Sequence, residues 1–371
     1  MKLLFWLSLS VIVLAYVGYP ICLWIRARYW PRPVQRASIC PTVTIILAVH
    51  NEETQLPRKL NNLTTLDYPQ HCLEIIVVSD GSTDETGQVL TGWESPHRRI
   101  LMLPTHGGKA SALNRGMAVA TGEIICFVDV RQTIALNGLK NLVENFADPC
   151  VGCVSGELII RKSKEAPFDG VGFYWRLEKH IRNWEALAGS TVGATGAFYA
   201  VRKSLLSPLP EGTILDDVYI PLQVARKGQR VVVDLRAVLW DDFIPGPRQE
   251  YRRKVRTLTG NYQLMQLAPW ILTPSNPLFL QFICHKLLRL VVPFALVGAM
   301  VSAFWVRHGI YGLALVLQVV FYALAVSRIF GSKRNLFSRL ANISLAFIVL
   351  NIAAAVALFY FVTGRRVVWA R

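Results

Sequence analysis

Residues 73–93 read LEIIVVSDGSTDETGQVLTGW, and two different periods meet inside them. Leu73 to Ser79 is a short, mostly apolar and β-branched run, the pattern of a strand buried on both faces of a sheet; it ends on Asp80 and Gly81. From Ser82 the composition becomes that of a helix start, with Ser, Thr and Asp ahead of the next apolar residues. A buried strand that ends in a carboxylate and feeds a helix predicts a βα unit.

The same unit recurs on either side. TVTIILAVH (42–50) is a second strand, followed by ETQLPRKLNNLTTL (53–66) at helical spacing, and EIICFVD (123–129) is a third strand. Alternation of strand and helix over about residues 40–245 predicts an α/β domain with a mostly parallel sheet covered on both faces. Three strands end in polar residues: His50–Asn51–Glu52, Asp80–Gly81–Ser82 and Asp129. Ligands of open α/β sheets bind at such carboxyl ends. There is no GxGxxG, so a dinucleotide site lacks its glycine turn.

The chain is 371 residues long, 53% hydrophobic, with a mean hydropathy of +0.36, more than a soluble globule requires. Residues 3–25 carry no charge over a length that spans a bilayer, and RARYWPRPVQR follows directly. A retained N-terminal transmembrane helix (1–25) is expected, with the next domain cytoplasmic by the positive-inside rule. Apolar runs at 287–306, 309–329 and 341–362 predict a C-terminal transmembrane bundle (287–363). Residues 246–286 mix arginines with large apolar side chains, as amphipathic helices in the membrane interface do. One span before the domain and three after it place the basic C-terminus outside, against the positive-inside expectation. The net charge of +16 concentrates beside the spans, at Arg26, Arg28, Arg32 and Arg36 among others. Anionic lipid headgroups account for it without nucleic acid as a partner. Seven scattered cysteines, with one isolated CxxC at Cys150 and Cys153, point to reduced buried thiols and not to zinc.

Over about 40–290 the order of motifs resembles the membrane-embedded members of glycosyltransferase family 2, the group containing cellulose, chitin, hyaluronan and poly-N-acetylglucosamine synthases. The resemblance implies a GT-A-like α/β domain plus α-helical transmembrane segments. It also implies an inverting transfer of sugar from a nucleotide donor, uridine-linked, to a growing polysaccharide or lipid-linked acceptor. LAVHNEE (47–53) and VVSDGSTDET (77–86) match the nucleotide-binding segments, assigning His50, Asn51, Glu52 and Asp80 to the donor. Asp80 can accept the uracil imide proton, or it can form an Asx turn capping the next helix. Lys109 in HGGKASALNRG (106–116) corresponds to a lysine beside the nucleotide, and otherwise reads as an exposed loop lysine.

The family's Asp-x-Asp becomes Asp129–Val130–Arg131. Three readings stay open: Asp129 holds Mg²⁺ or Mn²⁺ with the donor diphosphate and water, Arg131 neutralises diphosphate itself, or the two residues pair with each other. GATGAFYAVRKSLL (193–206) resembles the acceptor-side segment, which brings in Gly196. In ILDDVYIPLQVARKG (214–228), Asp217 matches the family's catalytic base and Asp216 replaces a glutamate. Adjacent aspartates at a helix start also read as capping residues. In RQEYRRKVR (248–256), Gln249 and Arg252 match Gln-x-x-Arg-Trp, the arginine being assigned to the leaving diphosphate, but Arg253 replaces the tryptophan. That exchange leaves room for single-sugar transfer to a lipid carrier. The lost second aspartate leaves room for an inactive scaffold that only binds the sugar nucleotide. Trp184 is a candidate sugar-stacking residue or an ordinary packing aromatic. The resemblance further implies an integral protein of a bacterial inner membrane, in contact with lipid and with room for a protein partner in polysaccharide export.

Overall fold

The computed structural model describes residues 1–161, 169–242, 247–330 and 336–365. Among these residues eight strands form one sheet: β1 (Val43–Val49), β2 (Leu73–Asp80), β3 (Arg98–Leu103), β4 (Ile124–Val128), β5 (Thr133–Ile134), β6 (Val151–Ile160), β7 (Phe198–Arg202) and β8 (Arg230–Asp241). Their order is β3-β2-β1-β4-β7-β6-β8-β5. β3, β2, β1 and β4 are parallel neighbours, and β7 runs antiparallel to both β4 and β6. The three strands read from sequence are therefore adjacent, with their carboxyl ends on one edge.

β1 shows why the sheet is buried on both faces. Val43, Ile45, Leu47 and Val49 point into one core with Leu56, Leu60 and Leu63 of the Leu56–Thr64 helix. Ile46 and Ala48 point into the other, with Ala110 and Leu113 of the Lys109–Val119 helix and Ile220 and Leu222 of the Asp216–Arg226 helix. A period-two strand between two helical layers buries every residue, each large aliphatic side chain contributing about 1.5–3 kcal/mol.

Among the described residues, four helices are long and apolar enough to cross a membrane: Lys2–Tyr29, Phe279–Val306, Ile310–Arg328 and Leu340–Val362. Many of their apolar side chains are exposed, as at Leu3, Trp305, Leu313 and Leu317, whereas those of β1 and β2 are buried. Solvation by lipid explains such a surface. The helix Phe279–Val306 begins earlier than the run at 287, and includes His285, Lys286 and Arg289. Glu178 and Glu185 on the Asp169–Ala188 helix satisfy these polar residues, so the helix continues through them. In the stretch expected to hold interfacial helices, the structure has one long helix, Pro247–Leu267. All seven cysteines are free, but only Cys126 and Cys153 are buried; Cys22, Cys40 and Cys150 are exposed, which corrects the expectation of buried thiols.

Candidate active site

At the end of β1 the chain turns through Asn51, whose φ of 55° is in the left-handed region. Asparagine tolerates that conformation because its short polar side chain bonds locally. Asn51 Oδ1 accepts the Thr83 amide at 2.8 Å, and the Glu52 amide donates to Thr86 Oγ1 at 2.8 Å. The loops after β1 and β2 are thereby stitched together. Gly81 has φ +60°, and a β-carbon there would lie 2.4 Å from the His106 nitrogen. Only glycine lets the 105–108 loop close so tightly on the end of β2.

That closure engages Asp80. Its carboxylate is fully buried and accepts the amides of Gly107 at 2.9 Å and Gly108 at 2.7 Å. His106 Nδ1 lies 2.8 Å from Asp80 Oδ2, His50 Nδ1 lies 2.7 Å from the Asp80 carbonyl, and the two imidazoles are 4.0 Å apart. Asp80 thus organises the loop that leads into Lys109, a task the sequence reading did not give it. The Asx-turn alternative would have turned the carboxylate towards the helix after β2 instead.

Lys109 opens its helix and points along the strand ends. Its Nζ lies 3.1 Å from Asp129 Oδ1 and 3.2 Å from Asp216 Oδ1, with 19% of the side chain exposed. Burial opposes its charge, but the carboxylates of Asp129, Asp216 and Asp217 overcome this and raise its pKa. It is not a solvated loop lysine. Asp216 is 3% exposed and accepts the hydroxyl of buried Tyr199 at 3.0 Å. Its oxygens serve Lys109 and Tyr199 instead of capping their own helix. Tyr199 lay inside the quoted 193–206 segment, yet nothing in its spacing marked it.

Asp217 is half-buried and lies against Gly196, where a β-carbon would meet Asp217 Oδ2 at 2.8 Å. Its backbone carbonyl accepts the Ala194 amide at 2.7 Å. Burial, and then the neighbouring Asp216, push its carboxyl up to about 6, against the opposing pull of Lys109 and Lys286. A half-buried carboxylate of raised basicity, seated against a glycine, can accept a proton from a hydroxyl placed beside it.

Asp129 is 40% exposed at the end of β4. Arg131 does not pair with it: the guanidinium donates to Asp241 Oδ2 from Nε at 3.1 Å and from Nη2 at 2.6 Å. Asp241 is 3% exposed and also accepts Gln132 Nε2 at 3.0 Å. Beneath this loop Lys59, 1% exposed, donates to the Gln132 carbonyl at 2.9 Å, and burial lowers its pKa to about 8. Among the described residues there is no group of three or more His, Cys, Asp or Glu able to hold a metal. The donor set therefore does not make a closed protein site. Asp129, with 40% of its side chain exposed, is the carboxylate of this cluster that could offer an oxygen to a cation.

Gln249 and Arg252 lie exposed near the start of the Pro247–Leu267 helix. That helix is pinned beside the cluster farther along. Gln263 Oε1 accepts the Ile214 amide at 3.0 Å, and Gly260 fits tightly over Leu215. No ion pair among the described residues ties Arg252 to the carboxylates, and Arg253 pairs with Glu250 at 2.8 Å. Trp184 sits elsewhere, packed with Tyr19, Leu23 and Ile181 and stacked on His180 at 5.6 Å. Its indole packs against the Lys2–Tyr29 helix, as the packing alternative has it.

Residues 44–209 match the family model described as Glycosyl transferase family 2. A probable glycosyltransferase of Bacillus subtilis, YdaM, is 28% identical over 236 residues, covering 60% of this chain and 55% of that protein. The poly-beta-1,6-N-acetyl-D-glucosamine synthase of Staphylococcus epidermidis is 25% identical over 237 residues, covering 62% and 56%. The match thus spans little more than half the length of these relatives. In fold, the chain is similar to a mannosyltransferase of Pyrobaculum calidifontis, solved in complex with GDP-Man and Mn²⁺. The TM-score is 0.73 and the identity 24%, with coverage of 98% of this chain and 100% of that one. The curled, mostly parallel sheet is of the GT-A type. Residues 44–209 thus carry a domain similar to glycosyltransferase family 2.

Proposed function

We propose that this chain is a membrane-bound, inverting glycosyltransferase that moves a sugar from a uridine-linked nucleotide donor to a growing polysaccharide or lipid-linked acceptor. The observation that carries this reading is the cluster of Lys109, Asp129, Asp216 and Asp217 at the carboxyl ends of parallel strands. His50, Asn51, Glu52 and the loop organised by Asp80 line the adjoining edge, where the nucleoside is placed. Lys109 and Asp129 then face the diphosphate. Asp129 would hold Mg²⁺ or Mn²⁺, which supplies charge neutralisation for the departing diphosphate.

Single displacement needs a base on the side opposite the leaving group. Asp217, more basic than an ordinary aspartate, takes the acceptor hydroxyl proton while Gly196 leaves room for the Asp217 carboxylate. Gln249 and Arg252 are assigned to the diphosphate by their place in the motif, and Arg252 supplies a cation as charge develops there. The domain faces the cytoplasm, with the four apolar helices in the membrane.

One observation favours single-sugar transfer to a lipid carrier: Arg253, in the place of the tryptophan platform, is ion-paired with Glu250. Purified protein in lipid vesicles, incubated with UDP-N-acetylglucosamine, UDP-glucose, UDP-galactose and GDP-mannose, tests both readings through the mass of the product. A polymer ladder supports the synthase, and one added sugar on lipid supports the alternative. Nucleotide binding without any transfer refutes both.

A further inference from the structure

A second cluster of ionisable groups lies between the α/β domain and the membrane helices. Glu185, on the Asp169–Ala188 helix, and His285, in the Phe279–Val306 helix, are each 1% exposed. His285 Nδ1 is 2.8 Å from Glu185 Oε1, and its Nε2 is 2.8 Å from Glu178 Oε1. The ring therefore faces a carboxylate at each nitrogen. Burial opposes the charge on Glu185, and the neighbouring His285 overcomes this, holding the carboxyl below its usual value. Tyr19, from the first membrane helix, donates its hydroxyl to Glu185 Oε1 at 2.5 Å. Arg289 donates to Glu178, completing the row.

Buried ion clusters contribute little net stability, since desolvation offsets much of the attraction. The position of this one is informative. The other oxygen of Glu185, Oε2, accepts Thr191 Oγ1 at 2.9 Å and the Val192 amide at 3.4 Å. Thr191 begins the segment that leads to β7. Within it, the Ala194 amide donates to the Asp217 carbonyl at 2.7 Å, the Thr195 amide donates to Ser155 Oγ at 2.8 Å, and Gly196 meets the Asp217 carboxylate. Two membrane helices thus hold a glutamate that holds the wall of the site.

We propose that Glu185 is a positioning residue: through Thr191 and Val192 it sets the 191–197 segment against Asp217, and Tyr19 and His285 lock it from the two membrane helices. This rests on the reading of Asp217 as the base. It makes docking of the membrane helices a condition for correct geometry at the reacting centre.

The test uses full-length protein in lipid and changes that keep shape. Thr191→Val removes the hydroxyl, Thr191→Ser retains it, and Tyr19→Phe removes the bond from the membrane side. With whichever nucleotide sugar of the panel above the wild type consumes, Thr191→Val should lower kcat about tenfold and Tyr19→Phe about threefold. Donor KM should stay within about twofold, and Thr191→Ser should restore kcat. Wild-type kcat in Thr191→Val, equal losses in Thr191→Ser, or a change confined to KM overturns the proposal. A silent Tyr19→Phe overturns its membrane limb. Hydrogen exchange on unliganded protein gives an independent readout: the amides of Ala194 and Thr195 should lose about tenfold protection in Thr191→Val and Tyr19→Phe, with those of β1 and β2 unchanged. Unaltered exchange at 194–195 overturns positioning whatever the donor. An active Asp217→Asn protein, in contrast, removes the base reading and leaves the exchange result standing.

Discussion

Replacing Gly196 by alanine puts a methyl group against Asp217. The added carbon would sit 2.8 Å from Oδ2, 3.2 Å from Cγ and 3.3 Å from Cβ of that aspartate, where ordinary contact begins near 3.4 Å. Gly196 is not among the glycines with left-handed backbone, so alanine adopts its conformation without strain and the whole effect comes from the contact. The Asp217 carboxylate must retreat by about 0.6 Å or rotate away. Overpacking of this kind costs about 1–3 kcal/mol, and the low end applies because the side chain is half-buried and can turn. The catalytic penalty is larger, since misplacement by about 1 Å costs on the order of 10² in rate. Scaled to this displacement, Gly196→Ala should lower kcat about 10- to 30-fold with nucleotide affinity unchanged. Turnover and UDP competition on the purified variant in lipid, with a thermal melt to show that it is folded, measure this. Wild-type kcat, or a loss seen only in nucleotide affinity, would refute the placement of Asp217 beside the acceptor.

Other outcomes follow from the same geometry. Because Asp217 is pushed up to about 6, kcat/KM should fall as pH is lowered through 6, where an ordinary aspartate would hold activity to near 4. A carboxyl whose folded pKa is raised binds its proton more tightly when folded, so its ionisation costs stability, of order 2 kcal/mol, as pH rises from about 4 through 6. Asp217→Asn should therefore melt above wild type at pH 7.5, with the gain vanishing towards pH 4. Arg131→Ala strips a partner from buried Asp241 and should destabilise the fold by about 1–3 kcal/mol while leaving donor KM nearly unchanged. The opposite pattern, a normal melt and a raised KM, would return Arg131 to the diphosphate. Turnover should vanish with EDTA and in Asp129→Ala, and full activity in EDTA would contradict the role given to Asp129.

The sheet was legible because its strands carry their burial in local sequence: β1, β2 and β4 are apolar runs closed by polar residues, and the carboxyl-end rule then gathers His50, Asp80 and Asp129. Pairings across the sheet were not. Lys109 joins Asp129 to Asp216, and Arg131 finds Asp241 at the end of β8, through strand order and register that no local pattern encodes. Asp80 was legible as the end of its strand but its contacts were not, since backbone amides of a glycine loop leave no mark in composition. Trp184 left two readings open because stacking on a sugar and packing against an apolar helix need the same aromatic surface. The membrane helix beginning at Phe279 was read short for a related reason. Its polar residues look like an interfacial boundary until Glu178 and Glu185, a hundred residues away in the chain, are seen to satisfy them.

Asp217→Asn tests the central claim most directly. The change removes basicity and almost no volume, so the fold, Lys109 and the nucleotide edge are left in place. Single-turnover transfer should fall by about 10²–10⁴ while the affinity for UDP stays within a few-fold of wild type. Near-normal transfer by this variant would contradict the account, whatever the other variants do.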